Sequence, residues 1–180
     1  MTRIVAGLAG GRRLQVPPGS RTRPTSDRAR EGLFSALTSL TDLTGTKVLD
    51  LYAGTGAVGL EALSRGAAEV LLVESDPRTA TVLRANVREL GLPGAEVRVE
   101  KVERLVASAA PVPYDIVFAD PPYAVDLAEV LVNLVTNGWI GDLVVIERSS
   151  RDGDFRWPAG LQPLRGRRYG EAMLWYGRRS

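Results

Sequence analysis

From Lys47 onward the chain alternates short apolar runs with segments whose apolar residues recur every three or four positions. The runs read as buried strands and the periodic segments as amphipathic helices, a pattern that predicts a doubly wound α/β sheet. Strands are predicted at Lys47–Tyr52, Val70–Glu74, Ala95–Val99, Tyr114–Ala119 and Leu143–Glu147. The spacing predicts helices at Ala57–Arg65, stopped by Gly66, and from Pro77 up to Gly91 with Asp76 as N-cap. Two more are predicted near Glu103–Ala109 and over Leu127–Val135. The C-terminus changes character: Leu161–Tyr169 and Ala172–Tyr176, separated by Gly170-Glu171, read as a terminal antiparallel hairpin.

Ahead of this body, Ile4-Val5-Ala6-Gly7, a Gly10-Gly11 turn and Leu14-Gln15-Val16 predict a small β-rich appendage, broken off by Pro17-Pro18-Gly19. A helix follows from Ser26 or Asp27, with Ala29, Leu33, Phe34, Leu37 and Leu40 on one face. The expected organisation is an Arg-rich appendage over residues 1–25 and a catalytic domain over 26–180.

The 180 residues include neither cysteine nor histidine. Disulfides, thiol nucleophiles, serine–histidine relays and the usual zinc or haem sites are therefore excluded, and no metal site is expected. Any chemistry has to use carboxylates, hydroxyls, backbone groups or a cofactor. No apolar run reaches membrane-spanning length and the N-terminus lacks a signal-peptide core, so the expected location is cytoplasmic.

The net charge of +2 hides an asymmetry: residues 1–30 carry +6, residues 151–180 carry +4, and the stretch between carries −8. All basic residues of both ends are arginine, which forks phosphate and stacks on bases, as an RNA partner requires. Arg3, Arg12, Arg13, Arg21 and Arg23 are the candidate RNA-binding residues, on an appendage expected to contribute little to the fold of the catalytic body.

Two motifs bear the chemistry, and each closes an apolar run, so both are expected at one edge of one parallel sheet. In the first, Gly54-Thr55-Gly56-Ala57-Val58-Gly59 satisfies G-x-G-x-x-G, which also fits a nicotinamide dinucleotide. Asp50 discriminates, because a carboxylate just ahead of the glycines repels a pyrophosphate and attracts the ammonium and sulfonium of S-adenosylmethionine. Glu74, 24 residues on, is placed to accept hydrogen bonds from ribose hydroxyls. The expected cofactor residues here are Asp50, Leu51, Tyr52, Ala53, Gly54, Thr55, Gly56, Glu74, Ser75 and Asp120.

The second motif is Asp120-Pro121-Pro122-Tyr123. An exocyclic base amine is a poor nucleophile because its lone pair is delocalised into the ring. The Asp120 carboxylate and the Pro121 carbonyl can accept hydrogen bonds from both amine hydrogens and aim the lone pair at a methyl group. Pro121-Pro122 stiffens the loop, and Tyr123 offers a stacking face for the base. This chemistry suits guanine N2, adenine N6 or cytosine N4 alike. An RNA-binding assembly factor without turnover is the reading from another class, disfavoured by the intact Asp50, Glu74 and Asp120.

The chain resembles the bacterial 16S ribosomal RNA guanine-N2 methyltransferases of the RsmD type. The resemblance rests on Arg3-Ile4-Val5-Ala6-Gly7, Gly11-Arg12-Arg13-Leu14, the segment Thr22-Arg23-Pro24-Thr25-Ser26-Asp27-Arg28-Ala29-Arg30-Glu31, both motifs above and Val73-Glu74. It implies a Rossmann-like class I S-adenosylmethionine-dependent methyltransferase fold with a mainly parallel seven-stranded sheet. It further implies methylation of one guanine of 16S ribosomal RNA, within the small ribosomal subunit or a late assembly intermediate, by a monomeric enzyme whose Thr25 helps complete the cofactor pocket. Glu100-Lys101-Val102-Glu103 stands where related enzymes often carry an Asp or Asn for the adenine amine.

Overall fold

A computed structural model of the chain describes residues 2–19 and 26–180. Its elements in chain order are β1 (Thr2–Arg3), β2 (Arg13–Leu14), α1 (Asp27–Thr38), β3 (Lys47–Leu51), α2 (Ala57–Ser64), β4 (Glu69–Glu74) and α3 (Pro77–Leu90). There follow β5 (Ala95–Val99), α4 (Val102–Val106), β6 (Tyr114–Ala119), α5 (Leu127–Thr136), β7 (Ile140–Ser149), β8 (Leu161–Tyr169) and β9 (Ala172–Arg179). Every element expected of the body is present. The last parallel strand and the last hairpin strand run longer than their apolar cores, because β7 and β9 pair over seven residues, from Leu143↔Arg178 to Ser149↔Ala172.

Seven strands form one sheet in the order β5-β4-β3-β6-β7-β9-β8, parallel except where β9 pairs antiparallel with both neighbours. The chain leaves β3 toward β4 and β5, then returns to build β6 and β7 on the other side. The order therefore reverses between β3 and β6, and a crevice opens beyond their carboxyl ends. Helices α1, α2 and α3 pack on one face around Phe34, Leu60 and Leu83, and α4 and α5 pack on the other around Leu105 and Leu131. Because β3 is covered on both sides, its Val48, Leu49 and Leu51 are all buried, as a central parallel strand requires.

Local signals set the helix ends. Ser26 caps α1 by accepting from the Ala29 N–H, and Asp76 caps α3 by accepting from Thr79. Pro77 opens α3, and Gly91 closes it in the left-handed conformation.

The appendage forms a short antiparallel pair, Thr2–Arg3 with Arg13–Leu14, instead of strands over Ile4–Gly7 and Leu14–Val16, and the view that it contributes little to the fold is corrected. Ile4, Ala9 and Leu14 are buried in the same core cluster as α1 and α2. The Glu61 carboxylate, fully buried on α2, accepts from the Val5 N–H at 2.8 Å, the Ala6 N–H at 3.0 Å and the Arg65 Nε at 2.8 Å. Arg30, also fully buried, pairs with Asp27 and donates to the Arg3 carbonyl. Desolvation lowers the Arg30 guanidinium pKa, and the charges of Glu61 and Asp27 oppose that shift. Asn86 on α3 completes the attachment: it exchanges hydrogen bonds with the Gln15 backbone and donates to the Thr55 carbonyl, tying the appendage to the glycine loop.

Glu61→Ala would strand the Val5, Ala6 and Arg65 donors and leave Asp27 as the counter-charge of the buried Arg30. The expected loss of stability is about 3–5 kcal/mol, measured by urea unfolding. A loss below about 1 kcal/mol would show that water replaces the carboxylate and that the appendage is held by its apolar residues.

Candidate active site

A cleft of about 1350 Å³ lies at the switch point. Its walls are the loop after β3, the end of β4, the loop after β6 and the end of β7, with Val16 to Gly19 of the appendage and Ala172 of the hairpin at its margins.

Asp50 is the deepest of its acids, only 4% exposed. The N-cap of α2 is Gly56, which has φ 85° and no side chain to cap with. The Asp50 Oδ2 instead accepts from the Gly59 N–H at 2.8 Å, so a strand residue supplies the negative charge at that helix N-terminus. A Cβ at Gly59 would stand 2.9 Å from that oxygen and 2.6 Å from Leu72 Cδ2, so the third glycine of the motif is required for this approach. Burial pushes the Asp50 carboxyl up to about 7, against the pull of the Gly59 N–H and with a further push from Glu74. A cation in the cleft would relieve that penalty.

Glu74 ends β4 and is braced by backbone. Its Oε2 accepts from the Gly54 N–H at 2.8 Å and its Oε1 from the Asp76 N–H at 3.0 Å. Each carboxylate oxygen has capacity for a second donor from the cleft. Tyr52 takes φ 59°, in the left-handed region that bulky residues rarely adopt, and its hydroxyl donates to Glu103 Oε1 at 3.2 Å. Burial, and then Glu103, raises its phenol pKa. Lys101, Val102 and Glu103 line the cleft beside it.

Asp120 follows β6, and since Leu51 pairs with Ala119 it stands across from Tyr52. Its side chain opens into the cleft rather than into the core. Desolvation by the cleft walls, then Glu147, then Asp50 raise its carboxyl well above the usual carboxylate range, with Arg148 opposing. It caps no helix, because Asp126 caps α5 by accepting from the Ala128 and Glu129 N–H groups. Pro121 is buried, while Pro122 is exposed and Tyr123 is 83% exposed at the rim.

The structure thus gathers Asp50, Tyr52, Ala53, Gly54, Thr55, Glu74, Ser75 and the whole Asp120–Tyr123 motif around one cleft. Leu51 and Gly56 do not line it: Leu51 is buried in the second core cluster, and Gly56 packs near Leu60 and Leu83. Thr25, Arg21 and Arg23 lie outside the described residues. Arg3 pairs with Asp27, Arg12 donates to the Glu89 and Leu90 carbonyls at the end of α3, and Arg13 is exposed. Sequence reasoning missed Glu147, which reaches the cleft beside Asp120 because β7 runs in register with β6, Ala119 facing Ile146. An acid at the end of the last parallel strand was the available signal. Among the described residues no group of three or more potential ligands is placed to hold a metal ion, and no helix is long and apolar enough to cross a membrane.

A family model described as Conserved hypothetical protein 95 matches residues 2–178. Ribosomal RNA small subunit methyltransferase D of Escherichia coli is 39% identical over 154 residues, covering 84% of this chain and 76% of that protein. A putative rRNA methyltransferase of Bacillus subtilis, YlbH, is 34% identical over 136 residues, 74% of this chain and 73% of its own. Among solved structures, the putative methyltransferase yhhF from Escherichia coli superposes with a TM-score of 0.88 at 34% identity, covering 99% of this chain and 97% of that one.

The buried acid sets a pH dependence. The folded value of Asp50, about 7, lies above its ordinary 3.8, so the native state binds more protons than the unfolded chain between about pH 4 and 7. The contribution of Asp50 to stability is greatest below that window and is lost as the pH rises through it. Asp50→Asn keeps an oxygen acceptor for Gly59, and thermal unfolding between about pH 4 and 8 is expected to show a smaller decline in the variant. Parallel curves would refute the assignment.

Proposed function

The chain belongs to the RsmD-type family of rRNA methyltransferases, and from that premise we propose that it transfers a methyl group from S-adenosylmethionine to the N2 amine of one guanine in 16S ribosomal RNA. The observation that supports this reading best is the placement of Asp50 and Glu74 on one side of the switch point and Asp120 on the other, in a single cleft.

The residues fit the cofactor. Glu74, held by two backbone donors, is oriented to accept from ribose hydroxyls, and the Asp50 carboxylate offers negative potential for the ammonium and sulfonium centres. When bound, S-adenosylmethionine supplies an electrophilic methyl group. Asp120 accepts a hydrogen bond from the amine, draws the nitrogen toward pyramidal geometry and aims its lone pair into the cleft. Transfer would form the N–C bond as the methyl–sulfur bond breaks to leave a neutral thioether, and Asp120, with its raised pKa, would accept the proton shed by the methylated amine before passing it to water. Tyr123 at the rim provides a face for the base to stack on.

The substrate is taken as the small ribosomal subunit or a late assembly intermediate, methylated in the cytoplasm by a monomeric enzyme. The internal commitments of Arg3 and Arg12 leave Arg13 as the described arginine of the appendage best placed for phosphate. Thr25, Arg21 and Arg23 are retained as proposed cofactor and RNA contacts.

Asp120→Ala is expected to lower the methylation rate on subunits lacking the modification by two to four orders of magnitude, with cofactor affinity little changed. Near-wild-type single-turnover methylation would remove Asp120 from the mechanism. Mapping the methylated nucleotide then tests the base, and a product on adenine or cytosine would overturn guanine N2.

Glu74→Ala is expected to weaken S-adenosylmethionine binding about 30- to 1,000-fold by calorimetry, through loss of about 2–4 kcal/mol of charge-assisted hydrogen bonding. Affinity within threefold of wild type would contradict the ribose role.

A further inference from the structure

Glu147, at the end of β7, lines the active cleft beside Asp120, and the register of the sheet fixes how the two acids stand. Phe118 pairs with Val145, and both belong to the core cluster shared with α1, α2 and α3. Asp120 and Glu147 each lie two residues further along, so the strand period turns both side chains to that same face. Neighbouring strands run about 4.8 Å apart, which sets the two carboxylates side by side at the cleft. After desolvation, Glu147 is the largest influence raising the Asp120 carboxyl pKa, as that placement requires.

The neighbours of Glu147 turn it toward the cleft. Its partner on β9 is Leu174, which is fully buried, so a leucine stands on the side away from Asp120. Arg148, next along β7, alternates to the other face and pairs with Asp152 at 3.3 Å. Glu147 is half-buried, and its side chain is one methylene longer than that of Asp120.

Ionised carboxylates accept hydrogen bonds and cannot donate them. A flat base that satisfies two of them side by side must bring two adjacent donors. Guanine does so, with its N2 amine next to the ring N1–H. Adenine and cytosine instead set a ring acceptor beside their amine, and uracil has no amine. A carboxylate facing a ring acceptor repels it, and both groups lose their water without gaining a partner.

We propose that Glu147 is the residue that selects guanine: its carboxylate accepts from the ring N1–H while Asp120 accepts from the N2 amine that receives the methyl group. The proposal rests on the reading of this cleft as the site of an RNA amine methyltransferase, and it names the group that reads the base beside the amine.

The test uses small subunits assembled on ligated 16S RNA that carries either guanine or 2-aminopurine at the mapped target, assayed at about pH 8 so that the carboxylates are ionised. 2-Aminopurine keeps the N2 amine and puts a ring acceptor in place of the N1–H. Wild type is expected to use it at least about 100-fold less well by kcat/KM, the scale of an acceptor left facing an acceptor. Because 2-aminopurine also lacks the guanine oxygen, Glu147→Gln isolates the N1 position: the amide accepts from guanine through its oxygen or donates to 2-aminopurine through its nitrogen. This variant is expected to bring the two substrates within about tenfold of each other and to bind S-adenosylmethionine as wild type does. A merely structural role would slow both substrates alike.

Wild type that uses both substrates equally, or Glu147→Gln that keeps the wild-type ratio, would overturn the proposal. A methylated adenine or cytosine at the mapped position would overturn it together with the guanine reading. Binding of the free 5′-monophosphates of guanosine and 2-aminopurine riboside to protein loaded with S-adenosylhomocysteine, followed by ligand NMR, needs no turnover. If no subunit is methylated, a guanosine preference that Glu147→Gln loses sinks the activity reading alone, and the lack of any preference sinks both. If subunits are methylated without regard to N1, the role of Glu147 fails alone.

Discussion

The catalytic edge depends on one hydrogen bond, from the Gly59 N–H to the buried Asp50 carboxylate. A helix that begins at a left-handed glycine has no side chain to meet its first N–H groups, and here the preceding strand meets one of them. The bond fixes the glycine loop, since strand end and helix start are held at the two ends of a few residues. It also places a carboxylate where water is scarce, and the cost of that burial appears as a raised pKa. Because β3 and β6 are neighbours, the same charge contributes to the upward shift of Asp120. One acid thus holds the loop, favours a cationic ligand and raises the pKa of the acid across the cleft.

The architecture of the body was legible because its strands are buried on both faces and read as unbroken apolar runs, while its helices show their buried faces at regular spacing. Caps at Ser26, Asp76 and Gly91 had local signals, and the structure uses each of them. The site was legible to the extent that its residues follow strand ends, which is why Asp50, Glu74 and Asp120 converge as their positions imply. What escaped notice depends on contacts distant in sequence. Glu61 and Arg30 look like surface charges on amphipathic helices, and only the docked appendage turns them into buried partners. Glu147 follows a run that already reads as complete. Phe155 and Trp157 belong to a connection without periodicity, and Gly166 and Gly177 gave no hint that indole rings lie against them.

Counting arginines gave a correct charge but an inflated view of how much of it is free. Arg12 closes the carbonyl end of α3, where a cation is favoured by the helix dipole. Arg178 joins Asp142 to the Leu40 carbonyl, and Arg179 reaches the carbonyls of Val135 and Ile140. Arg30 is wholly internal. In each case the guanidinium fork ties separate segments together, a task that a lysine ammonium, lacking the planar fork, would meet less well.

Some of the cations that remain uncommitted lie at two flanks of a cleft whose lining acids outnumber its Arg78, Lys101 and Arg148. Arg13 is on the appendage, whose Val16 to Gly19 form one margin, and Arg156, Arg165 and Arg167 are on the hairpin region, whose Ala172 borders another. Between them stand Asp50, Glu74, Asp120 and Glu147. Such a field would repel a phosphate backbone from the cleft floor and draw it to the margins, so that a polyanion would lie across the cleft rather than along its floor. A base turned out from that backbone would then enter the acidic interior without its phosphates, where the acids that exclude the backbone are the groups able to accept hydrogen bonds from its amine.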